Sequence, residues 1–210
     1  MSDDPNSSDG ETTDPSSDQT VDNSNVIWNV PNVLSAIRLL MSFVVFGMIA
    51  FEGYLIALVL FVIAAGTDWI DGWWARKFNQ VTKLGRVLDP FCDKILICGV
   101  FILLASKMDS VHWCYAVSGI VAVVVVGREL LVTALRSAIE GAGGDFSAKF
   151  AGKLKMAFQC LAAGAGLLFL HYSGETNDPP KWLYWFLAIN VWLTLIFTLY
   201  SGWEYVLAAI

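Results

Sequence analysis

Four aspartates, Asp68, Asp71, Asp89 and Asp93, occupy the stretch GTDWIDGWWARKFNQVTKLGRVLDPFCDK, with apolar runs on both sides. A carboxylate near the centre of a bilayer-spanning helix costs about 2.5–3.5 kcal/mol, so four unpaired ones would cost on the order of 10 kcal/mol. Such residues are kept for function by default and face a bundle interior or a wet cavity. Four anions in one volume repel each other, so either some carry protons or cations hold them together. A donor set of oxygens, with no Cys or His, suits Mg²⁺ or Mn²⁺ and not zinc. Paired divalent ions bridged by carboxylates suit chemistry on phosphate, where they neutralise the attacking and leaving oxygens. Gly72 and Ala75 are small and would let a bulky group approach the backbone, and Arg76 would meet a phosphate. Close helix packing explains the small residues equally well.

Helices must position these groups. At 3.6 residues per turn, Asp68, Asp71, Gly72, Ala75 and Arg76 share an arc of about 140°. Gly85, Asp89 and Asp93 recur every fourth residue, within about 80° on a following helix. Two neighbouring antiparallel helices would aim all four carboxylates at one volume. Pro90 fits if it lies in the first turn of its helix, where a missing N–H costs nothing.

The rest of the chain reads as membrane-embedded. Of 210 residues, 56% are hydrophobic and only 15% charged, with a mean hydropathy of +0.59. A soluble domain is about a quarter charged, so a soluble globular protein and a disordered chain are both excluded for most of the length. Residues 1–27 differ: they hold seven acids and no Lys or Arg, in a Ser-, Asp-, Asn- and Thr-rich context. They read as a disordered acidic tail and lack the charged and apolar regions of a secretory signal. The remainder, 28–210, carries a net charge near +1, from thirteen bases and twelve acids.

Six apolar segments of roughly spanning length follow, at about 33–51, 54–76, 88–106, 112–139, 152–171 and 182–207. The expected fold is all-α, a six-helix transmembrane domain with little mass outside the bilayer. Arg76, Lys77, Lys83 and Arg86 surround the second connection, and Lys149, Lys153 and Lys155 follow the fourth. Positive loops stay in the cytoplasm, which places those connections and both termini on the inner side. Trp28, Trp113, Trp182 and Trp203 near segment ends suit an aromatic belt. Cys92, Cys98, Cys114 and Cys160 form no CxxC and have no histidine at zinc spacing, so they read as small buried hydrophobes. His112 and His171 lie at the ends of apolar stretches and read as interfacial.

The eight positions Asp68, Asp71, Gly72, Ala75, Arg76, Gly85, Asp89 and Asp93 fit D-x2-D-G-x2-A-R-x8-G-x3-D-x3-D. This is similar to the signature of the CDP-alcohol phosphatidyltransferase family, and the six-span layout from about residue 28 onward resembles it too. The resemblance implies transfer of a phosphatidyl group from CDP-diacylglycerol to an alcohol, with release of CMP. It implies that Asp68, Asp71, Asp89 and Asp93 hold a pair of divalent ions, Mg²⁺ or Mn²⁺. Asp93 would also serve as the general base on the acceptor hydroxyl. Gly72, Ala75, Arg76 and Gly85 would bind the nucleotide of CDP-diacylglycerol, together with Thr82 and the Pro31-Asn32 segment before the first span. A plain helix entry explains Pro31-Asn32 nearly as well.

The family divides by acceptor. Arg128 and Glu129 lie inside the fourth apolar run, in GRELLVTALR, and Arg136 follows Arg128 by about two turns. Lys153 and Lys155 follow in GKLKM. A cluster of Arg128, Arg136, Lys153 and Lys155 suits an acceptor that carries its own phosphate. These stretches, with PNVLSAIRLL and TDWIDG, resemble the bacterial branch whose acceptor is glycerol-3-phosphate. Met156 stands where that branch often has Thr. Inositol phosphate or phosphatidylglycerol are alternative acceptors, and topology-setting or anionic-lipid contact is an alternative role for Lys153 and Lys155. From another class, a cation carrier would also use intramembrane acids, but spread along a path through several helices. The resemblance further implies a multi-pass protein of the inner (cytoplasmic) membrane, in contact with membrane lipid, often as a homodimer, with no nucleic-acid partner.

Overall fold

A computed structural model describes residues 30–78, 83–108, 111, 117–141, 150–176 and 179–209. Within its helices, side chains are described for all but 30–32, 34, 68–78, 83–90, 93, 138–141, 150–153, 176, 205–206 and 208–209. The acidic segment 1–27 lies outside the described residues.

The described fold is all-helical. The helices are α1 (Val30–Ala50), α2 (Tyr54–Phe78), α3 (Lys83–Lys107), α4 (Gly119–Gly141), α5 (Phe150–Thr176) and α6 (Lys181–Ala209). Each matches one of the six apolar segments, with ends moved by a few residues. The largest shift is in α4, expected from about 112. Val117 and Ser118 are not helical. Ser118 instead caps the helix: its hydroxyl accepts from Val121 N at 3.4 Å and its carbonyl from Ala122 N at 3.0 Å.

By length and composition, two described stretches are apolar enough to cross a membrane, Leu154–Glu175 and Lys181–Glu204. Ser35–Ala50 and Tyr54–Thr67 are shorter apolar stretches. Large apolar side chains point outward around the molecule, among them Leu40, Phe43, Ile56, Val123, Trp185 and Ile196. An apolar exterior of this extent marks a surface made to be covered.

The turn between α1 and α2 is tight. Gly53 N donates to Met48 O at 2.8 Å and Glu52 N to Ile49 O at 3.1 Å, the paired bonds of a Schellman cap. Glu52 holds the left-handed position at φ 64° that glycine usually takes. Its carboxylate meets Lys107 Nζ at 3.1 Å, at the far end of α3. The pair is exposed, so it contributes little.

Packing sets which helices can share a site. α1 packs along both α2 and α3, and α5 packs along α6 while also touching α2 and α3. α4 packs against α3 and α6. Among the described residues the expected direct pairing of α2 with α3 is sparse, and α1 and α5 each pack against both of them. Among the described residues, α4 and α5 likewise make scarcely any close backbone contact.

The apolar core is concentrated near the α1–α2 turn, away from the motif. It includes Ile49, Ala57, Phe61, Leu104, Leu167, Phe169 and Leu183. Phe169 meets Tyr184 edge to face at 4.8 Å. The buried polar residues Arg38, Arg128, Glu129, Lys155, Gln159, Thr198 and Ser201 lie toward the other end of their helices. The fold therefore has an apolar half and a half with buried charge.

Candidate active site

Asp68 and Asp71 lie in the second half of α2, with Gly72, Ala75 and Arg76 following before the helix ends at Phe78. Gly85, Asp89 and Asp93 lie in the first half of α3. Each set thus rides on one uninterrupted helix, in the register its spacing requires. The side chains of these eight positions are outside the described set, as are those of Pro31, Asn32 and Lys153, and Thr82 is outside it altogether. Pro31 is the second residue of α1, a position where proline costs no helical bond.

Pro90 departs from expectation. α3 begins at Lys83, so Pro90 lies in the helix interior and not in its first turn. Proline has no N–H for the carbonyl four residues earlier, that of Arg86. Lys83, Leu84, Arg86 and Leu88 in the preceding segment have high helix propensity, which favours an earlier start despite Gly85 and Val87.

Beneath the aspartates the described side chains meet around a small cavity. Arg38 of α1, Ala64 and Ala65 of α2, Leu96 and Ile97 of α3, and Met156 and Cys160 of α5 line it. Ala64 is one turn before Asp68, and Ile97 is one turn after Asp93. Arg38 is only 2% exposed and is the largest of the fully buried side chains. Arg38 thus brings a buried guanidinium to a cavity whose walls on α2 and α3 are each one turn along the helix from a motif position. Arg38 stands inside the first apolar segment and outside the eight-position motif. The signal available was its place in SAIRLL, four residues before Ser42, on the face that also holds Ser35. Those two are buried as well. Ser42 Oγ donates to Arg38 O at 2.9 Å, and Cys92 Sγ donates to Ser35 O at 3.4 Å, closing α1 onto α3.

The basic cluster is partly assembled. Arg128 on α4 donates through Nη1 to Glu129 Oε1 at 3.3 Å, and through Nη2 to Ser201 Oγ on α6. Lys155 on α5 donates to the same Glu129 oxygen, and Gln159 Nε2 reaches it at 3.3 Å. The side chains of Glu129, Lys155 and Gln159 therefore span the gap between α4 and α5. Arg136 lies two turns beyond Arg128 on α4 and is half-buried. Gly202 is a close approach: a β-carbon there would sit 3.3 Å from Arg128 Cγ.

The donor set of the four motif aspartates is all oxygen, which fits a hard divalent ion. Among the described residues no group of three or more His, Cys, Asp or Glu offers another metal site. Cys92, Cys98 and Cys160 are free thiols at least partly buried, and Cys114 lies outside the described residues.

Residues 28–200 match the CDP-alcohol phosphatidyltransferase family. The chain belongs to that family. It is a transferase of a group that depends in general on divalent metals. Three relatives carry the name CDP-diacylglycerol–glycerol-3-phosphate 3-phosphatidyltransferase. That of Bacillus subtilis (strain 168) is 36% identical over 152 residues, 72% of this chain and 72% of the relative. That of Pseudomonas fluorescens is 31% identical over 190 residues, 86% of this chain and 90% of the relative. That of Haemophilus influenzae is 30% identical over 172 residues, 79% and 89% of the two chains.

Proposed function

We propose that this family member is a CDP-diacylglycerol–glycerol-3-phosphate 3-phosphatidyltransferase of phospholipid biosynthesis. Its six helices span the cytoplasmic membrane, and its site faces the cytoplasm. The observation that carries the acceptor is the buried basic group of Arg128 and Lys155, one helix away from the α3 aspartates. The relatives' names point the same way. Buried bases are costly in an apolar bundle and are retained where an anion docks.

In this reading Asp68, Asp71, Asp89 and Asp93 hold one or two divalent ions, Mg²⁺ or Mn²⁺. These supply charge neutralisation on the phosphate oxygens. Gly72, Ala75, Arg76, Gly85, Thr82, Pro31 and Asn32 bind the cytidine diphosphate portion. Lys155, with Arg128, Arg136 and Lys153 around it, receives the acceptor's phosphate. Asp93 takes the proton from the acceptor's primary hydroxyl as that oxygen attacks the β-phosphorus. The bond from that phosphorus to the CMP oxygen breaks, and CMP leaves with the electron pair. CDP-diacylglycerol enters sideways with its tails in lipid, which suits the apolar exterior, while the acceptor arrives from water. The same exterior leaves room for a homodimer.

Mass spectrometry of the lipid product tests the proposal. Purified protein given CDP-diacylglycerol and glycerol-3-phosphate should form a lipid with one phosphodiester and one terminal phosphomonoester. A product lacking the phosphomonoester, or hydrolysis to phosphatidic acid alone, would contradict it.

A further inference from the structure

Glu129 has no task in the reaction as written, yet its position is specific. It is buried within an apolar helix, and two donors from α5 and one from its neighbour converge on one of its oxygens. α4 and α5 scarcely touch through their backbones, so this carboxylate links two helices across a gap. Tight apolar packing would join two helices without buried charge, and replacing a buried ion pair by apolar residues is often neutral or stabilising. Helix cohesion alone therefore gives little reason for an acid here.

The direction of Lys155 gives a better one. Met156 and Cys160 face the cavity that lies beneath the aspartates. Lys155 is about 100° round the helix from Met156, on the side toward α4. Its ammonium thus meets Glu129 on the α4 side, while the next residue, Met156, lines the cavity between α1, α2, α3 and α5. A lysine side chain is long and flexible, with many rotamers. The bond to Glu129 selects one of them. An ammonium has three N–H groups, so one bond to Glu129 leaves two to meet phosphate oxygens.

We propose that Glu129 is a positioning residue that fixes the Lys155 ammonium where the phosphomonoester of the acceptor docks, and so sets selectivity for phosphorylated acceptors. The inference rests on the reading that Lys155 contacts the acceptor's phosphate. Gln159 completes the arrangement by holding the Glu129 carboxylate from the same face of α5, one turn on. Glu129 touches no reacting atom and acts through Lys155.

Steady-state kinetics in detergent micelles, with thermal unfolding of each variant, separate the outcomes. Glu129→Gln should raise KM for glycerol-3-phosphate about tenfold or more, leaving KM for CDP-diacylglycerol and kcat within about threefold. Lys155→Met should raise the acceptor KM at least as far. The double variant should be no worse than Lys155→Met, because Glu129 acts through that side chain. An unchanged acceptor KM in Lys155→Met would overturn the reading of Lys155, and this inference with it. A raised KM in Lys155→Met with a normal one in Glu129→Gln would overturn the role of Glu129 alone. A lower melting temperature with both KM values raised together would show a structural residue and also overturn it. If Glu129→Gln does not fold, the double variant replaces the ion pair by two neutral side chains and is compared with Lys155→Met. Equal acceptor KM values then support the inference, and a much higher value in the double variant contradicts it.

Discussion

Arg128 on α4 donates a hydrogen bond through Nη2 to the hydroxyl of Ser201 on α6, 73 residues later in the chain. Both residues are buried. A buried bond to a charged group contributes about 1.5–3 kcal/mol. Ser201→Ala should therefore lower stability by roughly that amount, read as a lower melting temperature in detergent. Ser201→Thr, which keeps the hydroxyl, should lose less. Equal stability of Ser201→Ala and the parent protein would remove this bond as the tie between α4 and α6.

The seam between α1 and α3 depends on a missing side chain. A β-carbon at Gly99 would sit 2.2, 2.5 and 2.9 Å from atoms of the Phe46 ring. That ring is held edge-on against Phe43, with centroids 6.1 Å apart. Gly99→Ala must push the ring out and should destabilise by about 1–3 kcal/mol. Gly47 has nothing within 4 Å of the same construction. Gly47→Ala should be neutral or stabilise by up to about 1 kcal/mol through helix propensity. Thermal unfolding of the two variants side by side checks the contrast.

Arg38 should matter most when metal is absent. Its buried side chain lines a cavity with Ala64 and Ile97, each one turn along its helix from Asp68 or Asp93, and in the proposed reading its charge offsets carboxylate repulsion. Removing one partner of a buried charge pair costs about 3–5 kcal/mol. Arg38→Gln should therefore melt earlier in chelator, and added Mg²⁺ should raise its melting temperature more than it raises that of the parent. An equal Mg²⁺ shift in both proteins would separate Arg38 from the aspartates.

Asp93→Asn keeps the shape of the side chain and removes its basicity. A positioned general base contributes about 10²–10⁴-fold, and turnover should fall by that factor while the protein still unfolds cooperatively. Turnover within about threefold of the parent would assign the proton to another group.

Much of this arrangement is legible in the residues. The apolar segments announce six helices, and the recurrence at three and four residues places each pair of aspartates on one face. Periodicity reports the face of a helix but not its neighbour, so it could not show that α1 and α5 each pack against both α2 and α3. Pro90 misleads for a related reason: proline is read as a helix start, whereas here the helix begins two turns earlier at Lys83. Glu129 is visible as an acid in an apolar run. Its convergence with Lys155 and Gln159 joins residues 26 and 30 positions away, which no local pattern encodes. Arg38 stands inside the first apolar run but outside the eight-position motif, so no motif spacing marks it.

CMP release is the most direct measurement. Purified protein in detergent, with CDP-diacylglycerol and Mg²⁺, would be given glycerol-3-phosphate, inositol phosphate, phosphatidylglycerol or serine in separate reactions. Release with glycerol-3-phosphate alone, abolished by chelator and restored by Mg²⁺ or Mn²⁺, is the expected result. Release with another acceptor and none with glycerol-3-phosphate, from folded protein, would contradict the assigned acceptor and the role given to Lys155.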